Sequence, residues 1–180
     1  MSKTVNSNQH FRPLSLTLGV ALALSTMTSW ASSPQEIKKT VETQKQSYLE
    51  TLETLVNIES GSKDIEGVNQ IAKAVAERLK STGAEVLIIQ PNNRFKLDDT
   101  PEHTGPMVKG VLKGKGKSKI MLIAHLDTVY PKGMLKDQPF RIDGNKVYGL
   151  GILDDKQGVA AIIHILEALK KLNYQDYGTI

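Results

Sequence analysis

Five consecutive apolar residues, Ile120-Met121-Leu122-Ile123-Ala124, constrain the fold of this chain more than any other stretch. The run reads as a strand buried on both faces, and such a strand belongs in a parallel sheet covered by helices. The flanking sequence supplies those helices. Ser33-Pro34-Gln35-Glu36 combines an N-cap, a proline at the first helical position and a glutamate three residues on, a capping box. Ile37, Val41, Tyr48, Leu52, Leu55 and Val56 then recur at helical spacing until Gly61. A second helix is predicted from about Ile65 to Thr82, with Val68, Ile71, Ala72, Val75 and Leu79 on one face and Gly83 as its stop. A third is predicted from Gly158 to Leu172.

Short strands alternate with these helices. Glu85 to Gln90 is rich in Val and Ile and ends at Pro91; Met107 to Leu112 and Lys119 to Ala124 are two more. Pro91 to Pro106 reads as a surface loop. Lys113 to Lys119 is a turn of alternating Gly and Lys that lacks the spacing of a phosphate-binding loop, so a solvated basic hairpin is expected. Pro139 to Tyr148 folds back around Asp143-Gly144, and Gly178-Thr179-Ile180 opens a further strand. The expected class is α/β, a layered sheet with flanking helices.

Residues 1–31 have the marks of a secretory signal: Lys3 and Arg12 with no acid, the apolar stretch Leu14 to Leu24, and Ser29-Trp30-Ala31 as a cleavage site. The apolar stretch is shorter than the roughly 20 residues that a membrane-spanning helix needs. The expected organisation is therefore a signal over 1–31 and a mature portion over 32–180, exported to a periplasm or secreted. Cleavage takes the net charge from +4 to +2, which gives no basis for a nucleic-acid or membrane-surface partner. The chain has no cysteine, so disulfides, thiol nucleophiles and Cys-ligated metals are excluded. Any metal must be held by His and carboxylates.

The chemistry lies between Ile120 and Gly158. The apolar run delivers His125-Leu126-Asp127-Thr128 at its C-terminal end, where open α/β sheets place their sites. Residues two apart on an extended segment face the same way. His125 can then bind a metal while the Asp127 carboxylate holds the other ring nitrogen. Further on, Tyr148-Gly149-Leu150-Gly151-Ile152-Leu153-Asp154-Asp155 puts two adjacent carboxylates just before a helix. One reading is a cap favoured by the helix dipole. The other is a cation that relieves their repulsion.

His125-x-Asp127-Thr128-Val129, then Asp143-Gly144-Asn145-Lys146-Val147-Tyr148-Gly149-x-Gly151, then Asp154-Asp155-Lys156, resembles the M20 family of zinc peptidases. Val129-Tyr130, Lys132-Gly133, Pro139-Phe140-Arg141 and Asp176-Tyr177-Gly178-Thr179-Ile180 are similar to its glutamate carboxypeptidase branch, the carboxypeptidase G2 type. The resemblance implies an exopeptidase using two zinc ions to release a C-terminal amino acid, glutamate, from a peptide or N-acyl amino acid. It implies that His125 ligates one zinc, that Asp154 bridges both, and that Asp127, the candidate catalytic residue, orients His125. It places Asp155 in the surrounding shell with a cis Asp154–Asp155 peptide. Leu150 and Gln157 depart from the family pattern at positions that are not ligands. Family members continue with a Glu-Glu pair that supplies the general base, further ligands and a lid or dimerisation domain. The resemblance thus implies the incomplete N-terminal part of a zinc-exopeptidase catalytic domain, inactive alone, from a homodimeric enzyme.

Two other enzyme readings share these ligands, an M20 dipeptidase and an N-acyl amino acid deacylase; a non-catalytic metal- or peptide-binding domain is the alternative from another class. His164 is expected on the solvated side of its helix, opposite Val159, Ile163 and Leu166. Asp98, Asp99, Glu102 and His103 read as loop surface charge.

Overall fold

Ser33 Oγ accepts the Glu36 N–H at 3.2 Å, and the Glu36 carboxylate accepts the Ser33 N–H at 2.8 Å. This reciprocal pair opens α1 (Pro34–Thr43) in the computed structural model, which describes residues 32–92, 95–98, 100 and 102–180. The signal reading of residues 1–31 and the charge reading of Asp99 lie outside the described residues. The helix expected to run on to Gly61 is in fact two, because Gln44 separates α1 from α2 (Lys45–Val56). The Gln44 side chain is buried, and its Nε2 donates to the His164 carbonyl at 3.3 Å. A contact 120 residues away in sequence thus decides where the helix breaks.

α3 (Ile65–Thr82) starts where Asp64 Oδ1 accepts the Gly67 N–H at 3.1 Å and stops at Gly83, whose φ is 100°. Its predicted apolar face is the buried one, from Val68 to Leu79. β1 (Glu85–Ile89) and β2 (Met107–Val111) pair antiparallel, with Leu87 opposite Lys109, and the ribbon lies against α3. β3 (Arg141–Asp143) and β4 (Lys146–Tyr148) form the expected Asp-Gly hairpin, and the Arg141 guanidinium stacks 3.6 Å over the Tyr148 ring. α4 (Gln157–Lys171) closes the core. Leu55 and Val56 of α2, Ile71 of α3, and Ala160 and Ile163 of α4 are all essentially inaccessible. Full burial of one such large aliphatic side chain contributes about 1.5–3 kcal/mol. These elements all fall in one unit, Ala31–Ile180. No helix among the described residues is long and apolar enough to cross a membrane.

Three expectations need correction. His164 is buried, not solvated: the α2 residues Tyr48 and Thr51 cover the side of α4 that the core residues leave open. The Gly-Lys turn is not a simple hairpin. It wraps the segment Gln175–Ile180, with Lys115 N–H donating to Gln175 O at 2.8 Å and Gly116 N–H to Tyr177 O at 2.9 Å. Its lysines do stay exposed, as expected.

The third correction concerns Ile120–Ala124, which is paired only at its start and is mostly exposed rather than buried on both faces. Met121 is 81% exposed and Ile123 78%. Ile120 N–H donates to Thr179 O at 2.9 Å, and Lys119 and Thr179 make a parallel bridge; among the described residues the pairing goes no further. A strand satisfies its backbone only through a neighbour. Both described sheets are two-stranded and elsewhere, so beyond Thr179 this segment has none among the described residues.

Candidate metal centre

His125, Asp127 and Asp154 come together although 29 residues separate the first from the last. The extended segment carries His125 to its end, and a strap formed by Ile58–Ser62, just beyond α2, fixes Leu126 to Thr128 beyond it. Thr128 N–H donates to Ser60 O at 2.8 Å, and Ser62 N–H donates to Thr128 O at 2.9 Å. Ser60 Oγ donates to Leu126 O at 2.8 Å. Gly61 sits so close to the Tyr130 carbonyl that a Cβ there has no room. In the sequence the strap reads only as the end of a helix. Its signal is Glu-Ser-Gly-Ser soon after the last periodic residue, short polar side chains with no place in the helical pattern.

On the other side, the turn Ile152–Lys156 leads into α4, with Asp154 and Asp155 at non-helical backbone angles and a cis peptide between them. The Asp155 carboxylate packs over Gly158 in the first turn of α4, where a Cβ would push it aside. Lys156 is 1% exposed and its Nζ donates to Ile58 O at 2.7 Å, tying this turn to the strap. Burial pulls the Lys156 ammonium down to about 8, against the opposing pull of Glu59. Glu59 in turn accepts the N–H groups of Leu135 and Gly133 at 2.9 and 2.8 Å, which lower its carboxyl below the usual range. One five-residue segment therefore holds the His125–Thr128 end, the Asp154–Lys156 turn and the loop after Lys132.

Within this frame His125 Nδ1 lies 2.9 Å from the Asp127 main-chain carbonyl and 3.3 Å from Asp127 Oδ1. Both are acceptors, so Nδ1 carries a proton, and the other nitrogen is the one that meets Asp154. Nε2 faces Asp154 Oδ1 at 2.8 Å. The Asp154 carboxylate raises the His125 pKa, and partial burial offsets some of that rise. The Asp127 carboxylate is held by Ser62 Oγ, 2.7 Å from Oδ2. The nearest partner of the imidazole Nδ1 is thus the main chain of Asp127, with its carboxylate a little farther off.

An imidazole nitrogen and a carboxylate oxygen are donors that zinc takes, and these two converge. A shared proton or a metal ion bound by both satisfies the pair. Among the described residues no group of three or more His, Cys, Asp or Glu is placed to hold an ion. Open zinc sites take three ligands from the protein. The residues fit two ligands of such a site. The loop charges Asp98, Glu102 and His103 do not join it.

The chain is a mixed helix–strand domain that sets a His-x-Asp segment against an aspartate turn at a helix start. Residues 121–180 match the model of peptidase family M20/M25/M40. Carboxypeptidase G2 of Pseudomonas sp. (strain RS-16) is 42% identical over 132 residues, covering 73% of this chain and 30% of that protein. The chain belongs to the M20 peptidase family, on the carboxypeptidase G2-like branch. The fold agrees. Human carnosine dipeptidase 1 superposes with a TM-score of 0.61 at 21% identity, over 77% of this chain and 31% of that one. The di-peptidase Dug1p of Saccharomyces cerevisiae gives 0.61 at 17% identity over the same shares. A tripeptidase from Staphylococcus aureus gives 0.56 at 22%, over 75% and 34%. The chain spans about a third of the length of each of these proteins.

Proposed function

We propose that this chain carries part of the metal centre of a zinc-dependent exopeptidase that releases a C-terminal amino acid, glutamate, from a peptide or N-acyl amino acid. The observation that carries the reading is the convergence of His125 Nε2 on Asp154 Oδ1, with Nδ1 committed to Asp127. His125 and Asp154 would hold the metal. The chemistry zinc supplies when bound is Lewis acidity, which polarises a scissile carbonyl and lowers the pKa of water. The protein's own part is orientation. Asp127 fixes the imidazole tautomer, Ser62 fixes Asp127, and Lys156 anchors the aspartate turn. Identity with carboxypeptidase G2 supports exopeptidase action, and the resemblance of Val129-Tyr130 and Pro139-Phe140-Arg141 to the glutamate carboxypeptidase branch supports glutamate.

The test is to express the longest reading frame that carries residues 32–180 and to assay zinc-dependent hydrolysis of acyl-glutamates and of dipeptides. Release of glutamate that disappears in His125→Ala and Asp154→Ala is the expected result. Turnover of dipeptides alone would move the protein to the dipeptidase branch, and metal-independent turnover would remove the zinc reading. With two ligands, residues 32–180 by themselves should hold zinc weakly and show no turnover. The reading includes export, supported by Lys3, Arg12, the stretch Leu14 to Leu24 and Ser29-Trp30-Ala31. Mass spectrometry of protein from an exporting host should find a terminus near Ser32, and an intact Met1 or Ser2 would sink it.

A further inference from the structure

We infer that Ser62 is a positioning residue of this centre, acting on the His125 imidazole through the Asp127 carboxylate. Its hydroxyl lies 2.7 Å from Asp127 Oδ2 and 3.1 Å from Thr128 O, so its one proton goes to the nearer, charged acceptor, while Oδ1 of the same carboxylate faces His125 Nδ1 at 3.3 Å. The Asp127 side chain is 44% exposed, so its carboxylate is open to water on one side. Ser62 can hold it because Ser62 is itself held. Its N–H donates to Thr128 O at 2.9 Å, Thr128 N–H returns to Ser60 O at 2.8 Å, and Gly61 lets the strap press against the Tyr130 carbonyl. The hydroxyl is therefore fixed relative to the residue after Asp127, before any metal arrives. With Oδ2 occupied, Oδ1 and the Asp127 carbonyl both remain for Nδ1–H. Nδ1–H thus keeps both acceptors whether Nε2 faces the Asp154 carboxylate or a metal.

The metal half of this inference rests on the proposed zinc reading, but the tautomer half does not. The experiment therefore measures both. On the metal-free product of the longest reading frame that carries residues 32–180, two-bond nitrogen–proton NMR reports protonation of His125 Nδ1; zinc titration of the same samples reports affinity. Ser62→Ala should lower the population protonated on Nδ1 and weaken zinc binding about 10-fold, at the mild end for outer-shell partners because the Asp127 carbonyl remains. Ser62→Thr keeps the hydroxyl and should restore both. Ser60→Ala removes a hydroxyl from the same strap that touches only the Leu126 carbonyl. It should lower the unfolding midpoint and leave the His125 tautomer as it was.

An unchanged tautomer in Ser62→Ala overturns the inference, whether or not zinc still binds. An equal change in Ser60→Ala and Ser62→Ala also overturns it, since a general loosening of the strap would then explain both. If Ser62→Ala shifts the tautomer and neither protein binds zinc, the positioning role stands and the zinc reading falls.

Discussion

The apolar faces of the helices and the apolar run Ile120–Ala124 are opposite in fate. On α2, α3 and α4 the core-facing aliphatic residues, such as Leu55, Ile71 and Ile163, are inaccessible; on Ile120–Ala124 the side chains of Met121 and Ile123 face solvent. The difference lies in the backbone. A helix pairs its own N–H and C=O groups, so an apolar face needs only another apolar face to be buried. A strand needs a neighbour for its main chain before its side chains have anything to pack on. Ile120–Ala124 meets Thr179 at its start and no further strand among the described residues. An apolar run therefore says that burial is favoured, but only the partner strand says where.

The sharpest way to break this comparison is to truncate one residue on each side. Ile163 is 0% exposed and Ile123 is 78% exposed. In residues 32–180, Ile163→Ala should cost about 2–5 kcal/mol in urea unfolding, as large-to-small core changes do. Ile123→Ala should stay within about 0.5 kcal/mol, as surface changes do. Equal losses would mean that Ile123 is buried in solution, and the contrast between the two regions would fail.

A smaller effect sharpens the helical side, whose core is not purely apolar. Thr51 Oγ1 donates to Ser47 O at 2.9 Å, accepts from Arg78 at 3.0 Å and meets His164 Nε2 at 2.9 Å. Thr51→Val removes three contacts while keeping the shape, and leaving buried polar groups unpaired costs about 1–3 kcal/mol. The His164 pKa is lowered chiefly by burial; Arg78 and Lys171 add to this, and Glu167, 3.2 Å from Nδ1, opposes it. Arg78 also pairs with that carboxylate at 2.9 Å. The folded pKa thus lies below the unfolded value of 6.5. Stability from this residue is fully present above pH 6.5 and is lost as the pH falls through the folded value. Urea midpoints should drop between about pH 7.5 and about pH 5.5, and the slope should flatten in His164→Gln, which cannot titrate. An unchanged slope would place the acid sensitivity elsewhere.

Legibility in the sequence divides along the same line. Helix starts and stops are local: Ser33 with Glu36, and Gly83 at φ 100°, lie where the pattern puts them. So does the hairpin at Asp143-Gly144. The break at Gln44, the burial of His164 and the wrapping of the Gly-Lys turn around Gln175–Ile180 are not legible, because each is made by a residue far along the chain. At the site, spacing and resemblance point to His125, Asp127 and Asp154, which the structure brings together. Sequence reasoning misses Ser62 and Lys156. Their partners are Asp127, 65 residues on, and the Ile58 carbonyl, 98 residues back, and neither residue type announces a ligand.

α1 separates the two properties that the other regions confound, since it is a helix with no buried residue. Ile37 is 45% exposed and Val41 54%, so its backbone is self-paired but its apolar side is uncovered. If internal pairing were enough, α1 would be as protected as α3. An isolated helix of ten residues is marginal in water, however, and Gln44 interrupts its continuity with α2. α1 should therefore open locally, with its amides exchanging well before those of α2 and α3. Ser33→Ala removes the hydroxyl that caps the Glu36 N–H, a change worth about 1 kcal/mol to the helix it starts. Hydrogen exchange should show that loss in the α1 amides alone, with the urea midpoint of the whole unchanged. A matching fall in the global midpoint would show that α1 unfolds with the core, and that burial of Gln44 alone is enough to couple it.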